Sequence, residues 1–144
     1  MAYFKFTRAM LAGEPIDVYN HGRMQRDFTY VDDVVEAVVR LIDRPAQGDP
    51  SWDPLTPDPA SSRAPYRVYN IGNHQPVELM DFIATLERLL GVRAQLRMLP
   101  MQAGDIVATY ADTEALQRDV GFRPSTSIED GLSRFVAWYR RYYG

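Results

Sequence analysis

Arg26-Asp27-Phe28-Thr29-Tyr30-Val31-Asp32-Asp33 is the stretch on which the reading of this chain turns. A basic residue opens a short extended segment, Arg26 to Thr29, and acidic residues then open a helix. Asp33 and Glu36 have the spacing of a capping box. Val34, Val35, Val38, Leu41 and Ile42 recur on one helical face, and Pro45 marks the end. A side chain at the start of such a strand, beside a turn, can point into a cleft rather than across a core, so Arg26 becomes a candidate for binding.

Upstream, Phe4 to Ala12 has apolar residues at helical spacing and runs into Gly13, a C-terminal stop. Ile16 to Tyr19 alternates like a short strand and is closed by the polar turn Asn20-His21-Gly22. Downstream, residues 45–65 carry proline at 45, 50, 54, 57, 59 and 65 among Asp and Ser. That composition builds no core and predicts a long surface loop, with Trp52 as the one side chain able to dock back. Tyr66 to Gly72 then reads as a strand ended by a turn. Leu79 to Leu90 reads as a helix with Leu79, Phe82, Ile83, Leu86 and Leu90 on one face and Gly91 as its stop. Ala94 to Leu99 and Thr109-Tyr110-Ala111 are further strand candidates. Asp112 caps a short helix ended by Gly121, and Ser127 to Asp130 opens a last helix carrying Ile128, Leu132, Phe135, Val136 and Tyr139. The pattern predicts an α/β chain (α+β for the isolated piece), residues 1–144 forming one domain without internal repeats.

Composition excludes several functions. A net charge of −3 gives no attraction to nucleic acid or to an anionic membrane, and 46% apolar residues suffice for a core. There is no cysteine, so neither disulfides nor thiolate metal sites exist. His21 and His74 lack metal-ligand spacing, and no metal is expected. Neither a membrane-length apolar run nor a signal-peptide core occurs, which makes the cytoplasm the expected location.

Two groups of residues suit a phosphorylated ligand. Arg26 offers several donors in a fixed fork, matched to the oxygens of two adjacent phosphates. The plainer alternative is a surface arginine paired with Asp27 or Asp32. In Gln102-Ala103-Gly104-Asp105 the glycine allows close backbone approach, and the carboxylate can accept from vicinal hydroxyls. A turn former or helix cap is the plainer reading of Asp105. Equally telling is what the chain lacks. None of its nine glycines stand in the Gly-x-Gly-x-x-Gly or Gly-x-x-Gly-x-x-Gly spacing that holds a dinucleotide pyrophosphate. Its only lysine is Lys5, and the residue four before it is Met1, so no Tyr-x-x-x-Lys acid/base pair can exist.

Arg26-Asp27-Phe28, Gln102-Ala103-Gly104-Asp105-Ile106 and Asn70-Ile71-Gly72 together resemble the C-terminal half of the nucleotide-sugar epimerases and dehydratases. These are NAD-dependent enzymes of the extended short-chain dehydrogenase/reductase family, and the likeness is strongest to UDP-glucuronate 4-epimerases. It runs from Phe4-Lys5-Phe6-Thr7 to Trp138-Tyr139-Arg140-Arg141-Tyr142-Tyr143. The resemblance implies the substrate-binding portion of such a fold without its N-terminal Rossmann glycine-rich unit: half of an enzyme.

It also implies roles. Arg26 contacts the diphosphate, and Gln102 stands where many relatives carry a second phosphate-binding arginine. Asp105 takes the ribose side, and Asp17 and Tyr19 lie along the uracil with Phe4 nearby. Thr109 sits where some hexose epimerases place a bulky tyrosine. No catalytic or cofactor-binding residue is expected in this chain. NAD belongs to the full-length enzyme and its missing Rossmann half, and the isolated chain should self-associate. Two alternatives stay open: a non-catalytic binding or structural module, or a decarboxylase or dehydratase of the same family.

Overall fold

The computed structural model describes residues 1–144. In chain order the elements are α1 (Ala2–Leu11), β1 (Ile16–Val18), β2 (Gln25–Asp27), α2 (Val31–Ile42), β3 (Pro76–Glu78), α3 (Leu79–Leu90), β4 (Leu96–Met98), α4 (Glu114–Val120) and α5 (Ile128–Tyr143). Backbone packing groups them into two compact units. The first joins Met1–Phe28, Gln75–Tyr110 and Thr126–Gly144, and the second joins Thr29–His74 and Ala111–Ser125.

The first unit holds α1, α3 and α5 around a core of Met10, Ile16, Val18, Phe82, Ile83, Leu86, Leu90, Leu132 and Val136. Four of these lie on the α3 face expected from the spacing of its apolar residues. That helix ends at Gly91 in the left-handed conformation, with φ 70°. Ser127 caps α5 as its sequence position implies, its Oγ accepting from the Asp130 backbone N–H at 3.1 Å. Two small sheets complete the unit: β1 pairs in parallel with β4, Asp17 opposite Arg97, and β2 pairs antiparallel with β3, Arg26 opposite Val77. The strand over Pro76–Glu78 has no period-2 signal long enough to see, and it forms because β2 lies beside it.

In the second unit α2 begins at Val31, so Asp33 lies inside the first turn and the expected capping box is not made; the N-cap is Tyr30. The Asp33 carboxylate instead accepts from the Ser125 N–H at 3.1 Å, tying α2 to the segment after α4. The strand expected over Tyr66–Gly72 is also absent. Its only pairing is an isolated bridge between Ser61 and Arg67, because a strand needs a neighbour to take its N–H and C=O groups. Thr109-Tyr110-Ala111 likewise forms no strand of its own.

The proline-rich loop is well knitted. Asp49, Asp53 and Asp58 each accept the N–H two residues on, and each also accepts a nearby Ser or Thr hydroxyl. The Trp52 indole docks back on the loop itself, donating to the Asp58 carbonyl at 3.1 Å. Gly48 lets the loop close, since a Cβ there would stand 2.2 Å from the Arg63 carbonyl oxygen.

Candidate functional site

The site lies in the first unit and is built by residues 99–109, which run from one sheet to the other. At one end Leu99 donates to the Val18 carbonyl (2.9 Å) and its own carbonyl accepts from His21 (3.0 Å), holding the segment against β1. At the other end the Gln25 N–H donates to Val107 O at 2.8 Å, and the Thr109 N–H donates to Gln25 O at 3.3 Å. Between these anchors the chain reverses in a turn closed by Asp105 N–H to Gln102 O, 3.2 Å, with Gly104 at φ 82°. A side chain is strained at that φ, so the glycine is a geometric requirement.

This arrangement brings Arg26 and Asp105 together. One Nη of Arg26 donates to Asp105 Oδ1 at 2.8 Å. The other donates to Gln25 O at 2.8 Å and Val107 O at 3.2 Å. Three of the five guanidinium N–H groups are therefore used, and Nε and one Nη2–H remain for a ligand. Both side chains keep about a third of their surface in solvent, 28% and 33%. Asp105 Oδ1 also accepts from the Ile106 N–H, while Oδ2 carries no bond. The pairing that sequence alone suggested for Arg26, with Asp27 or Asp32, is replaced by one 79 residues away.

The other expected residues fall into three groups. Gln102 is exposed in the same turn as Asp105, and the Thr109 hydroxyl accepts the Asp27 N–H at 3.1 Å, beside Arg26. Asp17 lies on β1 with its carboxylate bonded to Arg97 across the ladder, and Tyr19 starts a 3₁₀ turn, Tyr19–Gly22, rather than continuing the strand. The strand ends there because Asn20 and His21 take φ of 50° and 51°, which Asn and His tolerate better than most residues. Phe4 is on α1, its ring edge-on to Tyr139 (5.4 Å) and Tyr143 (5.6 Å) of α5, so its visible role is packing.

Sequence reasoning passed over Arg97. Its hydrogen bond and charge hold the Asp17 carboxyl below the usual carboxylate range, and Asp17 raises Arg97 in return. No local signal marks Arg97, because only the β1–β4 register sets it opposite Asp17. Phe28, the third residue of the Arg26-Asp27-Phe28 motif, faces the core rather than a ligand. It stacks on Phe82 of the core with centroids 4.8 Å apart and planes 9° off parallel, anchoring the segment that carries Arg26.

Chemically, this is a partly exposed surface with a guanidinium, a carboxylate and an amide. It suits binding of a phosphorylated polyol more than proton or hydride transfer. No group of three or more His, Asp or Glu converges as a metal site, and no helix is long and apolar enough to cross a membrane.

Comparison with known proteins gives the setting. A family model described as the NAD dependent epimerase/dehydratase family matches residues 1–72. Protein CapI of Staphylococcus aureus is 52% identical over 143 residues, covering 99% of this chain and 43% of that protein. A probable UDP-glucuronate 4-epimerase of Rhizobium meliloti (strain 1021) is 49% identical over 144 residues, covering 99% of this chain and 42% of the relative. The solved structure of MoeE5 in complex with UDP-glucuronic acid and NAD matches with a TM-score of 0.78 at 30% identity, covering 99% of this chain and 42% of that one. The chain thus spans less than half the length of these relatives.

Proposed function

The chain belongs to the NAD dependent epimerase/dehydratase family, and on that premise we propose that it is the UDP-gripping portion of a UDP-sugar 4-epimerase, with UDP-glucuronate as substrate. The observation that carries this is the Arg26–Asp105 pair beside the Gly104 turn, with guanidinium donors and one carboxylate oxygen uncommitted. Arg26 neutralises the diphosphate through its spare Nε and Nη2 donors. Asp105 accepts from the ribose hydroxyls through Oδ2, and Gln102, exposed in the same turn, adds an amide donor toward the phosphates. Asp17 on β1 and Tyr19 at the start of the turn that follows it face the uracil. Holding the UDP end firmly leaves the sugar free to turn over at C4 without leaving the enzyme. The probable epimerase from Rhizobium meliloti and the MoeE5 complex with UDP-glucuronic acid support this choice of ligand.

NAD, which supplies hydride transfer in such a reaction, does not fit the residues present. The glycines with positive φ are Gly13, Gly22, Gly91, Gly104 and Gly121. They lie after helix C-termini or in turns, and none forms a strand-to-helix cradle for a pyrophosphate. We therefore assign the nicotinamide and the acid/base pair to a Rossmann half that these 144 residues do not contain. The chain alone is then a binder without turnover.

The test is calorimetric titration of UDP into the chain and its Arg26→Ala variant. The variant should lose what UDP binding the isolated chain shows, a loss of about 2–3 kcal/mol in an intact enzyme for a charge-assisted contact. Equal affinity of variant and parent rejects the role.

A further inference from the structure

We propose that Thr109 is a positioning residue: its hydroxyl completes the hydrogen-bond ladder that aims Arg26, and it serves the diphosphate through Arg26 rather than by touching the sugar. This deepens the function proposed above and rests on it.

The argument begins with the ladder. Gln25 bridges Ala108 in parallel, its N–H donating to Val107 O and its carbonyl accepting from Thr109 N–H. In a parallel ladder the next rung runs from the residue two further along, Asp27 N–H, to the carbonyl of Thr109. Here that rung goes instead to Thr109 Oγ1 at 3.1 Å. The side chain substitutes for the backbone, so the pairing ends at this point without leaving the Asp27 N–H unsatisfied. The substitution needs a side-chain acceptor close to Cβ, which threonine supplies and valine lacks.

The consequence falls on Arg26, the residue between the two rungs. Its backbone is clasped on one side by β3, where it lies opposite Val77. On the other side Gln25 and Asp27 are fastened to residues 107–109. The same segment supplies Val107 O and Asp105 Oδ1 to the guanidinium. Strand 25–27 and segment 105–109 therefore form one frame, in which the acceptors of the guanidinium and the acceptor of the Asp27 N–H move together. Loosening the Thr109 rung lets β2 slide relative to Val107 and Asp105, and the spare Arg26 donors lose their fixed direction. Preorganisation of that kind contributes to binding without any contact to the ligand. The hydroxyl oxygen is held against the Asp27 N–H, inside the frame that carries Arg26, which is why the positional reading is preferred to one in which Thr109 lines the sugar pocket.

The experiment compares Thr109→Val, Thr109→Ser and Arg26→Ala in the full 144-residue chain, using UDP and uridine as probes. Valine keeps the shape and removes the acceptor, and serine restores it. Thr109→Val should weaken UDP binding about five-fold, the worth of one lost hydrogen bond, and leave uridine binding unchanged. Thr109→Ser should return UDP affinity to that of the parent. A parallel titration of the Thr109→Val, Arg26→Ala double variant should show no further loss beyond Arg26→Ala, because the hydroxyl acts through Arg26. If Arg26→Ala weakens UDP binding while Thr109→Val does not, or if valine weakens uridine and UDP alike, this inference is overturned and the role of Arg26 stands. If Arg26→Ala has no effect, the underlying function fails instead. A valine variant that does not fold is replaced by Thr109→Ala with the same two probes, read against the serine rescue.

Discussion

Replacing Phe82 by alanine removes the ring that joins the functional segment to the core. Phe82 is fully buried, lies parallel to Phe28 at 4.8 Å, and meets the edge of Phe6 at 6.3 Å. Truncating a buried phenylalanine to alanine costs about 3–5 kcal/mol, from lost transfer energy and the cavity left behind. A domain of this size has about 5–15 kcal/mol in all, so the variant stands near the edge of unfolding. Phe28 is half-buried, and Phe28→Ala should cost less, about 1–2 kcal/mol. The informative quantity is the coupling between them. A stacked pair contributes about 0.5–1.5 kcal/mol beyond its area, so the double variant should be less destabilised than the sum of the singles by that amount. Urea unfolding can be followed through Trp138, which lies in the same compact unit, after Trp52→Phe removes the other tryptophan. Phe28→Leu, which keeps most of the volume, should retain most of the stability but little of the coupling. Single variants that add to within about 0.3 kcal/mol would show that no stack forms, and the proposed anchoring of Arg26 to the core would go with it.

Three further outcomes are expected. The Asp17 carboxyl is held below its usual range by the Arg97 hydrogen bond. Its stabilising contribution is therefore complete above the unfolded carboxylate pKa and is lost as pH falls through the lower folded value. Asp17→Asn should flatten the fall in urea midpoint between about pH 4 and pH 2, and an unchanged slope refutes the pairing. Ser127→Ala removes the side chain that caps the N-terminus of α5 and should destabilise the chain by about 1 kcal/mol, with Ser127→Asp retaining it; loss in both variants would mean that the cap is not what matters. Finally, Val31, Val35, Val38, Val39 and Ile42 of α2 are all about half exposed or more, an apolar strip of the kind that drives association. Light scattering over a concentration series should show self-association of the isolated chain that Val35→Lys with Val39→Glu suppresses. A strictly monomeric parent at high concentration is the contrary result.

Much of this protein was legible in its sequence, where a pattern is local. The α3 helix from Leu79 to Leu90, the Gly91 and Gly121 stops and the Ser127 cap depend on spacing and on residues within one or two turns. The resemblance drew attention to Arg26 and Asp105 because both stand in short contiguous motifs, and it named the family to which the chain belongs. What the sequence could not determine depends on who lies next to whom. Tyr66–Gly72 has the composition of a strand yet forms none, since its pairing stops at the single bridge between Ser61 and Arg67, whereas the weakly patterned Pro76–Glu78 becomes one because β2 is adjacent. Asp33 has the spacing of a cap, but its carboxylate is used by Ser125, 92 residues away. The partner of Arg26, the counter-charge of Asp17 and the use of the Thr109 hydroxyl follow in the same way from register between segments some 80 residues apart. Short-range propensity chooses the elements, but the free energy of a hydrogen bond or ion pair depends on a partner that only the tertiary fold brings to about 3 Å.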